Sequence, residues 1–232
     1  MNFNLLELSG REEAVAFDLD GLMFNTEPIH SRCANILLGR RGHSFTPELQ
    51  ELATGRSPRS NLQLFIDYFR LDTDVETLLV ETIETTIGLL QDGYETTPGL
   101  LRLLDALDAR RVPRCVCTSG ITAIATEILR KDGVGARMDF ILTSDDVTNG
   151  KPSPEIYLKA SERFGIAPSR MLVLEDSAAG SQAASSAGSP CCMYKGPHNQ
   201  SGDFSRALTV VERLDAPEIL GLLAGRGAVT EN

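Results

Sequence analysis

The sequence predicts an α/β fold, in which a doubly wound parallel sheet is covered by helices on both faces and carries an inserted helical domain. Short apolar runs alternate with segments of helical period along most of the 232 residues. These runs lack the polar alternation of a half-exposed strand, as is typical of strands buried on both faces. One stretch of about 75 residues, which ends before Pro98, breaks the alternation and is too long for a plain loop.

Five short apolar runs are predicted as strands, and a polar or glycine-containing turn follows most of them. They are residues 14–17, 114–117, 139–142, 171–174 and 189–194. Because ligands of open α/β sheets bind beyond the carboxyl ends of the strands, the polar residues after these runs are candidates for a site.

Four helices are predicted between the strands, over residues 98–111, 121–131, 154–164 and 178–187. A proline begins the first helix, and a glycine follows shortly after each of the other three. These boundary residues support an alternation of strand and helix, and hence parallel strands.

The interrupting stretch contains three amphipathic helices, over residues 27–41, 58–69 and 75–90. No buried strand is recognisable within it. The sequence therefore predicts an α/β core made of residues 1–24 and 96–232, and a helical domain made of residues 25–95.

Composition excludes several classes of function. Hydrophobic residues make up 42% and charged residues 23%, which is typical of a folded globular protein. The net charge of −10 argues against nucleic acid or an anionic membrane as a partner. No secretory signal or membrane span is recognised, and the five cysteines have no zinc spacing. We therefore expect a cytoplasmic protein with reduced thiols, and a monomer by default.

Acidic residues stand directly after two of the predicted strands. Asp18 and Asp20 follow the first, and Glu175 and Asp176 follow the fourth. Carboxylates crowded at one edge of a sheet repel one another unless they are protonated or bridged by a cation. A donor set made only of oxygen suits Mg²⁺, so the sequence predicts a magnesium site.

Asp18 and Asp20 are spaced for joint chemistry. Residues i and i+2 of an extended segment point the same way, so one carboxylate can attack a substrate atom while the other moves a proton. The second aspartate must be protonated when a leaving group departs, which a raised pKa favours. Lys151 can neutralise a phosphoryl oxygen, and Thr118 and Ser119 form an anion cradle with the N–H groups of the following helix start.

Four motifs resemble, in this order, those of the haloacid dehalogenase-like hydrolase superfamily. They are Phe17-Asp18-Leu19-Asp20-Gly21-Leu22, Thr118-Ser119, Gly150-Lys151-Pro152 and Leu174-Glu175-Asp176-Ser177. The insertion resembles the helical C1 cap of the subgroup that holds β-phosphoglucomutase, phosphoglycolate phosphatase and sugar-phosphate phosphatases. The resemblance implies a Rossmann-like core with this cap.

The resemblance also implies an activity and roles for individual residues. Asp18 would be the nucleophile and Asp20 the acid/base, while Thr118 and Lys151 would hold the phosphoryl group. The implied Mg²⁺ ligands are Asp18, the backbone carbonyl of Asp20, Glu175 and Asp176. The implied reaction is hydrolysis of a small phosphorylated metabolite, with a sugar phosphate as the best candidate, through an aspartyl-phosphate.

Other activities of the family are less consistent with this sequence. Dehalogenases lack the second aspartate, so Asp20 argues against them. Phosphonatases use a cap lysine, and this chain has no lysine before Lys131. Mutases also usually carry a cap lysine, and the comparable position here is close to Val80. A phosphosugar mutase stays the alternative, followed by a non-catalytic phosphate-binding regulator.

Substrate specificity is expected to come from the cap. Gly55 and Arg56 resemble the short specificity loop of C1 caps, where Arg56 would bind a second anionic or hydroxylated group. A plain turn before the helix that starts at Pro58 is the alternative. His30 occupies a position where mutase relatives carry a histidine, and a surface histidine is an equal alternative there.

Overall fold

A six-stranded parallel sheet forms the centre of the computed structural model, which describes residues 13–53 and 56–223. In chain order the strands are β1 (Ala14–Phe17), β2 (Phe24–Asn25), β3 (Glu95–Thr96), β4 (Arg114–Cys117), β5 (Phe140–Leu142), β6 (Met171–Glu175), β7 (Cys191–Tyr194) and β8 (Thr209–Val211). The sheet has the order β5-β4-β1-β6-β7-β8, with β1 at the switch point between the two halves. The five predicted strands are confirmed. The edge strand β8 was missed because it is short and half-exposed.

The α-helices of the described residues either form the insertion or cover the two faces of the sheet. They are α1 (Glu27–Gly39), α2 (Pro47–Ala53), α3 (Pro58–Phe69), α4 (Val75–Leu90), α5 (Leu100–Arg110), α6 (Thr122–Ile128), α7 (Glu155–Phe164), α8 (Ala178–Ala187) and α9 (Pro217–Leu222). The predicted helix over residues 121–131 ends earlier, at Ile128. A 3₁₀ segment follows it, in which Asp132 and Gly133 have left-handed backbone conformations that an α-helix does not allow.

The two faces of the sheet pack into two separate apolar clusters. Alternate residues of β1 point to opposite faces, so that Val15 and Phe17 join one cluster and Ala14 and Ala16 the other. Helices α5, α6 and α9 pack in the first cluster, and α7 and α8 pack in the second. The expectation of a parallel sheet covered on both faces is therefore confirmed.

Helices α1 to α4 lie between β2 and β3, two short strands that pair antiparallel with Phe24 opposite Thr96. The chain therefore leaves the sheet and returns to it side by side. Helix α4 packs against α1, α3 and the core helix α6. The short α2 was not predicted, because its seven residues bury only Leu49 and Ala53, and one such pair is too short a pattern to predict a helix. Within the described residues, the helices are too short or too polar to cross a membrane.

Candidate active site

Most of the predicted site residues line one cavity of about 450 Å³ at the carboxyl edge of the sheet. We call it the catalytic cavity. It is lined among others by Asp18, Asp20, Thr118, Ser119, Lys151 and Asp176. The turns after β1, β4 and β6 supply most of these side chains, because the parallel strands end at the same edge.

Lys151 connects the first and fourth motifs. Its Nζ donates to Asp18 Oδ1 at 2.5 Å, to Glu175 Oε1 at 2.6 Å and to the carbonyl of Cys117 at 2.8 Å. Burial alone would lower the pKa of this ammonium, but the Asp18 and Glu175 carboxylates outweigh burial and raise the pKa. Lys151 is therefore a fixed positive charge beside the proposed nucleophile.

Glu175 is fully buried and well supplied with donors. Its carboxylate accepts hydrogen bonds from Lys151 Nζ, from the hydroxyl of Tyr157 at 2.7 Å, from the hydroxyl of Ser177 at 3.0 Å and from the backbone N–H of Asp176 at 3.1 Å. Burial works to raise its pKa, yet Lys151 and the other donors lower it overall. Glu175 is thus charged and held in one orientation.

Carboxylate oxygens of Asp18, Glu175 and Asp176 lie within 4.8 Å of one another, and all three residues are buried. Burial is the main cause that raises the pKa of Asp18, and it raises the pKa of Asp176 to about 6. One lysine does not balance three carboxylates, so the cluster favours a further cation. Buried carboxylate oxygens are the ligands that Mg²⁺ prefers, and the residues therefore fit a divalent metal ion.

Asp20 points away from this cluster. Its Oδ1 accepts a hydrogen bond from the hydroxyl of Thr26 at 2.6 Å and lies 2.8 Å from His30 Nε2, while Oδ2 accepts from Thr118. Burial works to raise its pKa, but His30, Thr26 and Thr118 outweigh burial and lower it. The expectation of a raised pKa was wrong, because the sequence did not place these partners.

The pKa of His30 shifts in the direction opposite to that of Asp20. Burial works to lower the pKa of its imidazole, but the Asp20 carboxylate raises it overall. His30 is consequently inclined to hold the proton that the sequence argument placed on Asp20. It also lines the space between α1 and the core, so it is more than a surface histidine.

His198, in the loop after β7, was missed. Its Nε2 lies 2.7 Å from Asp176 Oδ2, and Asn199 Nδ2 donates to the Asp176 carbonyl at 2.6 Å. A Cβ at Gly21 would overlap Asp176 and lie 2.8 Å from His198 Nε2, so the turn after β1 needs glycine on steric grounds and for its φ of +82°. No sequence signal pointed to His198, since its contact depends on the path of a loop.

Thr118 and Ser119 occupy the turn after β4. The hydroxyl of Thr118 accepts from the backbone N–H of Gly120 at 2.9 Å, and Ser119 lines the catalytic cavity. The N–H of Thr122, at the helix start, donates to Asp145 Oδ2 at 3.1 Å. Asp145 therefore accepts a hydrogen bond from one of the N–H groups that were expected to face the phosphate. Its carboxylate caps the start of α6.

The cap residues have mixed outcomes. Arg56 lines the catalytic cavity and also a second cavity beside it, whereas Gly55 falls outside the described residues. Val80 is 56% exposed and lines neither cavity. Thr82, two residues later on the same helix, lines the second cavity. Among the described residues that line the two cavities, Lys151 is the single lysine.

A model of the haloacid dehalogenase-like hydrolase family matches residues 12–188. The chain is 30% identical over 176 residues to the phosphorylated carbohydrates phosphatase of Thermotoga maritima, a match that covers 76% of this chain and 82% of that protein. It is also 30% identical over 178 residues to the fructose-1-phosphate phosphatase YqaB of Escherichia coli, with 77% of this chain and 94% of that protein covered. Both matches agree with the resemblance found in the sequence motifs.

A solved structure is similar as well. The crystal structure of CbbY from Rhodobacter sphaeroides in complex with phosphate superposes with a TM-score of 0.81. Its sequence is 25% identical, and the superposition covers 88% of this chain and 95% of that one.

Proposed function

This chain belongs to the haloacid dehalogenase-like hydrolase family, and we propose that within it the chain is a Mg²⁺-dependent phosphatase of a small phosphorylated metabolite. Sugar phosphates are the best candidates, because the two relatives described above act on phosphorylated carbohydrates and fructose 1-phosphate. The observation that carries the proposal is the position of Lys151. Its ammonium is bonded to Asp18 inside the cavity that Thr118 and Ser119 line.

Asp18 is the proposed nucleophile. One of its carboxylate oxygens attacks phosphorus, a P–O bond forms to Asp18, and the ester P–O bond to the leaving alcohol breaks. Lys151 offsets the negative charge on the phosphoryl oxygens as they move toward it, and Thr118 and Ser119 orient them. The product of this half-reaction is an aspartyl-phosphate and a free alcohol.

Asp20 and His30 together handle the proton. His30 passes its proton to Asp20 across their 2.8 Å contact, and Asp20 passes it to the leaving oxygen, which leaves Asp20 as a carboxylate and His30 neutral. In the second half-reaction Asp20 removes a proton from water, and the oxygen of that water attacks phosphorus and releases Asp18. The proton returns to the pair, so the cycle ends with inorganic phosphate and an unchanged enzyme.

The carboxylate cluster is the proposed metal site. Mg²⁺, when bound, supplies further neutralisation of phosphoryl charge. The residues that would hold it are Asp18, the backbone carbonyl of Asp20, Glu175 and Asp176. The excess of buried negative charge in this cluster supports the assignment.

The helical insertion is the proposed cap. We place the boundaries at residues 24/25 and 95/96, so that residues 1–24 and 96–232 form the core and residues 25–95 the cap. The antiparallel pair of β2 and β3 supports this division, because both crossings occur there. Closure of the cap excludes water from the nucleophile.

We further propose a monomer that acts in the cytoplasm without a nucleic-acid or membrane partner. The five buried thiols without a disulfide suit a reducing compartment.

A panel of phosphorylated metabolites with and without Mg²⁺, scored by released phosphate, tests the proposal. We expect Mg²⁺-dependent hydrolysis of at least one sugar phosphate, loss of turnover in Asp18→Asn, and normal turnover in the exposed control Asp72→Asn. Near-normal hydrolysis by Asp18→Asn would contradict the mechanism. Conversion of β-glucose 1-phosphate to the 6-phosphate with little free phosphate would instead identify the mutase.

A further inference from the structure

Ser144, in the turn after β5, lines the catalytic cavity. Its backbone N–H and its hydroxyl both donate to the carbonyl of Gly120, each at 3.0 Å. Gly120 belongs to the turn after β4, which also carries Thr118 and Ser119. Since β4 and β5 are neighbours in the sheet, Ser144 joins two turns that lie side by side at its carboxyl edge.

The turn after β5 is a firm support for this contact. Asp146 Oδ2 accepts from the backbone N–H of Thr143 at 2.8 Å, and the hydroxyl of Thr143 accepts from the N–H of Asp145 at 3.2 Å. Lys159, on α7, donates to the carbonyl of Asp146 at 2.6 Å. The turn is therefore closed on itself and tied to a core helix, so that Ser144 offers its two donors from a fixed place.

Gly120 extends this contact to the proposed acid. Its N–H donates to the hydroxyl of Thr118 at 2.9 Å, and that hydroxyl donates to Asp20 Oδ2 at 3.3 Å. Because the carbonyl and the N–H belong to the same residue, a shift of Gly120 that weakens one bond also moves the other. A continuous chain of hydrogen bonds therefore runs from Ser144 to Asp20.

The space around Gly120 is narrow on the side of the acid. A Cβ there would lie 3.2 Å from Thr118 Oγ1 and 3.4 Å from Asp20 Oδ2. Glycine has no side chain that could fix it in the turn, and its backbone is freer than that of other residues. The position of Gly120 beside Asp20 therefore depends on hydrogen bonds of its backbone, and the Ser144 hydroxyl supplies one of them.

We propose that Ser144 is a positioning residue for the proton transfer at Asp20. Its hydroxyl holds Gly120, whose N–H fixes the Thr118 hydroxyl, and that hydroxyl sets the direction of the Asp20 carboxyl toward the leaving oxygen. This inference rests on the proposed phosphatase function, to which it adds a residue that acts through others. Lys151 and the carboxylate cluster take no part in this chain of bonds, so they are expected to keep their geometry when the hydroxyl is lost.

Two substitutions isolate the hydroxyl. Ser144→Ala removes it but keeps the backbone N–H, so one bond to the Gly120 carbonyl remains. Asp145 continues to accept from the N–H and the hydroxyl of Thr122 at 3.1 and 2.6 Å, and the variant is therefore expected to fold. Ser144→Thr keeps a hydroxyl at the same place.

Ser189→Ala is the matched control. The hydroxyl of Ser189 donates to the carbonyl of Pro168 at 2.9 Å and likewise joins two turns. These turns precede β6 and β7, so they lie at the opposite edge of the sheet. The control therefore loses the same kind of hydrogen bond far from the catalytic cavity.

Two probes separate the proton transfer from the rest of the reaction. Phenyl phosphate and p-nitrophenyl phosphate share the phosphoryl group and the ring, but p-nitrophenolate is stable enough to leave without a proton, whereas phenolate gains from one. With the full chain and Mg²⁺, we expect Ser144→Ala to lower kcat/KM at least fivefold for phenyl phosphate and less than twofold for p-nitrophenyl phosphate. Ser144→Thr is expected to recover at least half of the loss, and Ser189→Ala to match the unmodified chain with both probes. An equal loss with both probes would overturn the inference.

Hydrogen exchange provides a readout that does not depend on turnover. By NMR, the N–H of Gly120 is expected to exchange at least threefold faster in Ser144→Ala than in the unmodified chain, and at an unchanged rate in Ser189→Ala. An unchanged rate in folded Ser144→Ala overturns the inference whatever the kinetics show.

The two proposals fail in different ways. If neither probe nor any metabolite of the panel is hydrolysed while Gly120 exchanges faster in Ser144→Ala, the phosphatase proposal fails and the hold of Ser144 on the turn stands. If metabolites are hydrolysed but the two probes are not, the fastest metabolite takes the place of phenyl phosphate, and Ser144→Ala is expected to slow it at least fivefold. If Ser144→Ala hydrolyses its substrates as fast as the unmodified chain, the inference is overturned and the phosphatase proposal stands.

Discussion

Gly180, in the first turn of α8, packs directly against the carboxylate of Glu175 and leaves no room for a Cβ between them. The close approach lets the Glu175 carboxylate accept from the Ser177 hydroxyl and from Lys151 at once. A glycine inside a helix costs about 1 kcal/mol relative to alanine, so at this position sterics decide against the better helix former.

Gly180→Ala is expected to destabilise the protein despite that propensity. The new methyl group would overlap the Glu175 carboxylate, and the displaced side chain would lose bonds to Lys151 and Tyr157. Overpacking of this kind costs about 1–3 kcal/mol. Urea unfolding measures the loss, and turnover is expected to fall with it.

Gly88→Ala is the matched control. Gly88 also lies inside a helix, α4, but a Cβ there meets no atom within 4 Å. We expect a gain of about 0.5–1 kcal/mol in the free energy of unfolding, because only the propensity changes. Equal effects of the two substitutions would show that the Glu175 contact does not matter.

Tyr157→Phe is expected to affect the same carboxylate through a lost hydrogen bond. Tyr157 is fully buried, and its hydroxyl donates to Glu175 Oε1 at 2.7 Å. Removing that donor leaves a buried charged acceptor with one partner fewer, at a cost of about 1–3 kcal/mol. The substitution keeps the aromatic ring. If the slope of the free energy of unfolding against urea concentration is unchanged, the loss of stability is therefore due to the missing hydroxyl. A stability equal to that of the unmodified chain would contradict the assigned contact.

The difference between Asp18 and Tyr157 explains how far the sequence could predict this site. Asp18, Glu175 and Asp176 follow parallel strands, and strand ends converge by topology, so their meeting was predictable. Tyr157 lies on the buried face of α7, and an aromatic residue at such a position is interpreted from the sequence as part of the core. Its hydroxyl finds Glu175 through the angle at which the helix crosses the sheet, which no sequence period encodes.

The cap limits prediction for a similar reason. The boundaries of α3 and α4 matched the sequence, because proline and aspartate mark their first turns. The second cavity, which lies beside the catalytic cavity, is the space left between α1, α2 and α3. Its size depends on how these helices pack in the tertiary structure. The lowered pKa of Asp20 likewise follows from Thr26 and His30 across the start of the insertion.

His198→Ala is expected to weaken metal binding. His198 bonds Asp176 Oδ2 at 2.7 Å and is 17% exposed, so it fixes the orientation of a proposed metal ligand. Loss of such a supporting partner typically reduces metal affinity about 10–100-fold. Calorimetric titration with Mg²⁺ measures the change directly, without substrate.

His43→Ala is the matched control for that measurement. His43 stacks on Phe69 with centroids 4.2 Å apart, on the cap and away from the carboxylate cluster. Its removal is expected to lower stability slightly and to leave the Mg²⁺ dissociation constant unchanged. If both histidine variants bind Mg²⁺ like the unmodified chain, His198 does not support the metal site.

Glu155→Gln is expected to make stability less dependent on pH in acid. The Glu155 carboxylate accepts from the backbone N–H groups of Thr148 and Asn149 at 2.9 and 2.8 Å, which with Lys159 lower its pKa from 4.5 to about 2. A lowered pKa means that the charged form contributes stability above pH 4.5 and that this contribution disappears as the pH falls toward 2. The unmodified chain should therefore be more stable than Glu155→Gln at pH 7, with a gap that narrows below pH 4.5. Urea unfolding at pH 7, 4.5 and 3 measures the gap, and a gap that stays constant over this series would contradict the role of the carboxylate in holding the loop before Lys151.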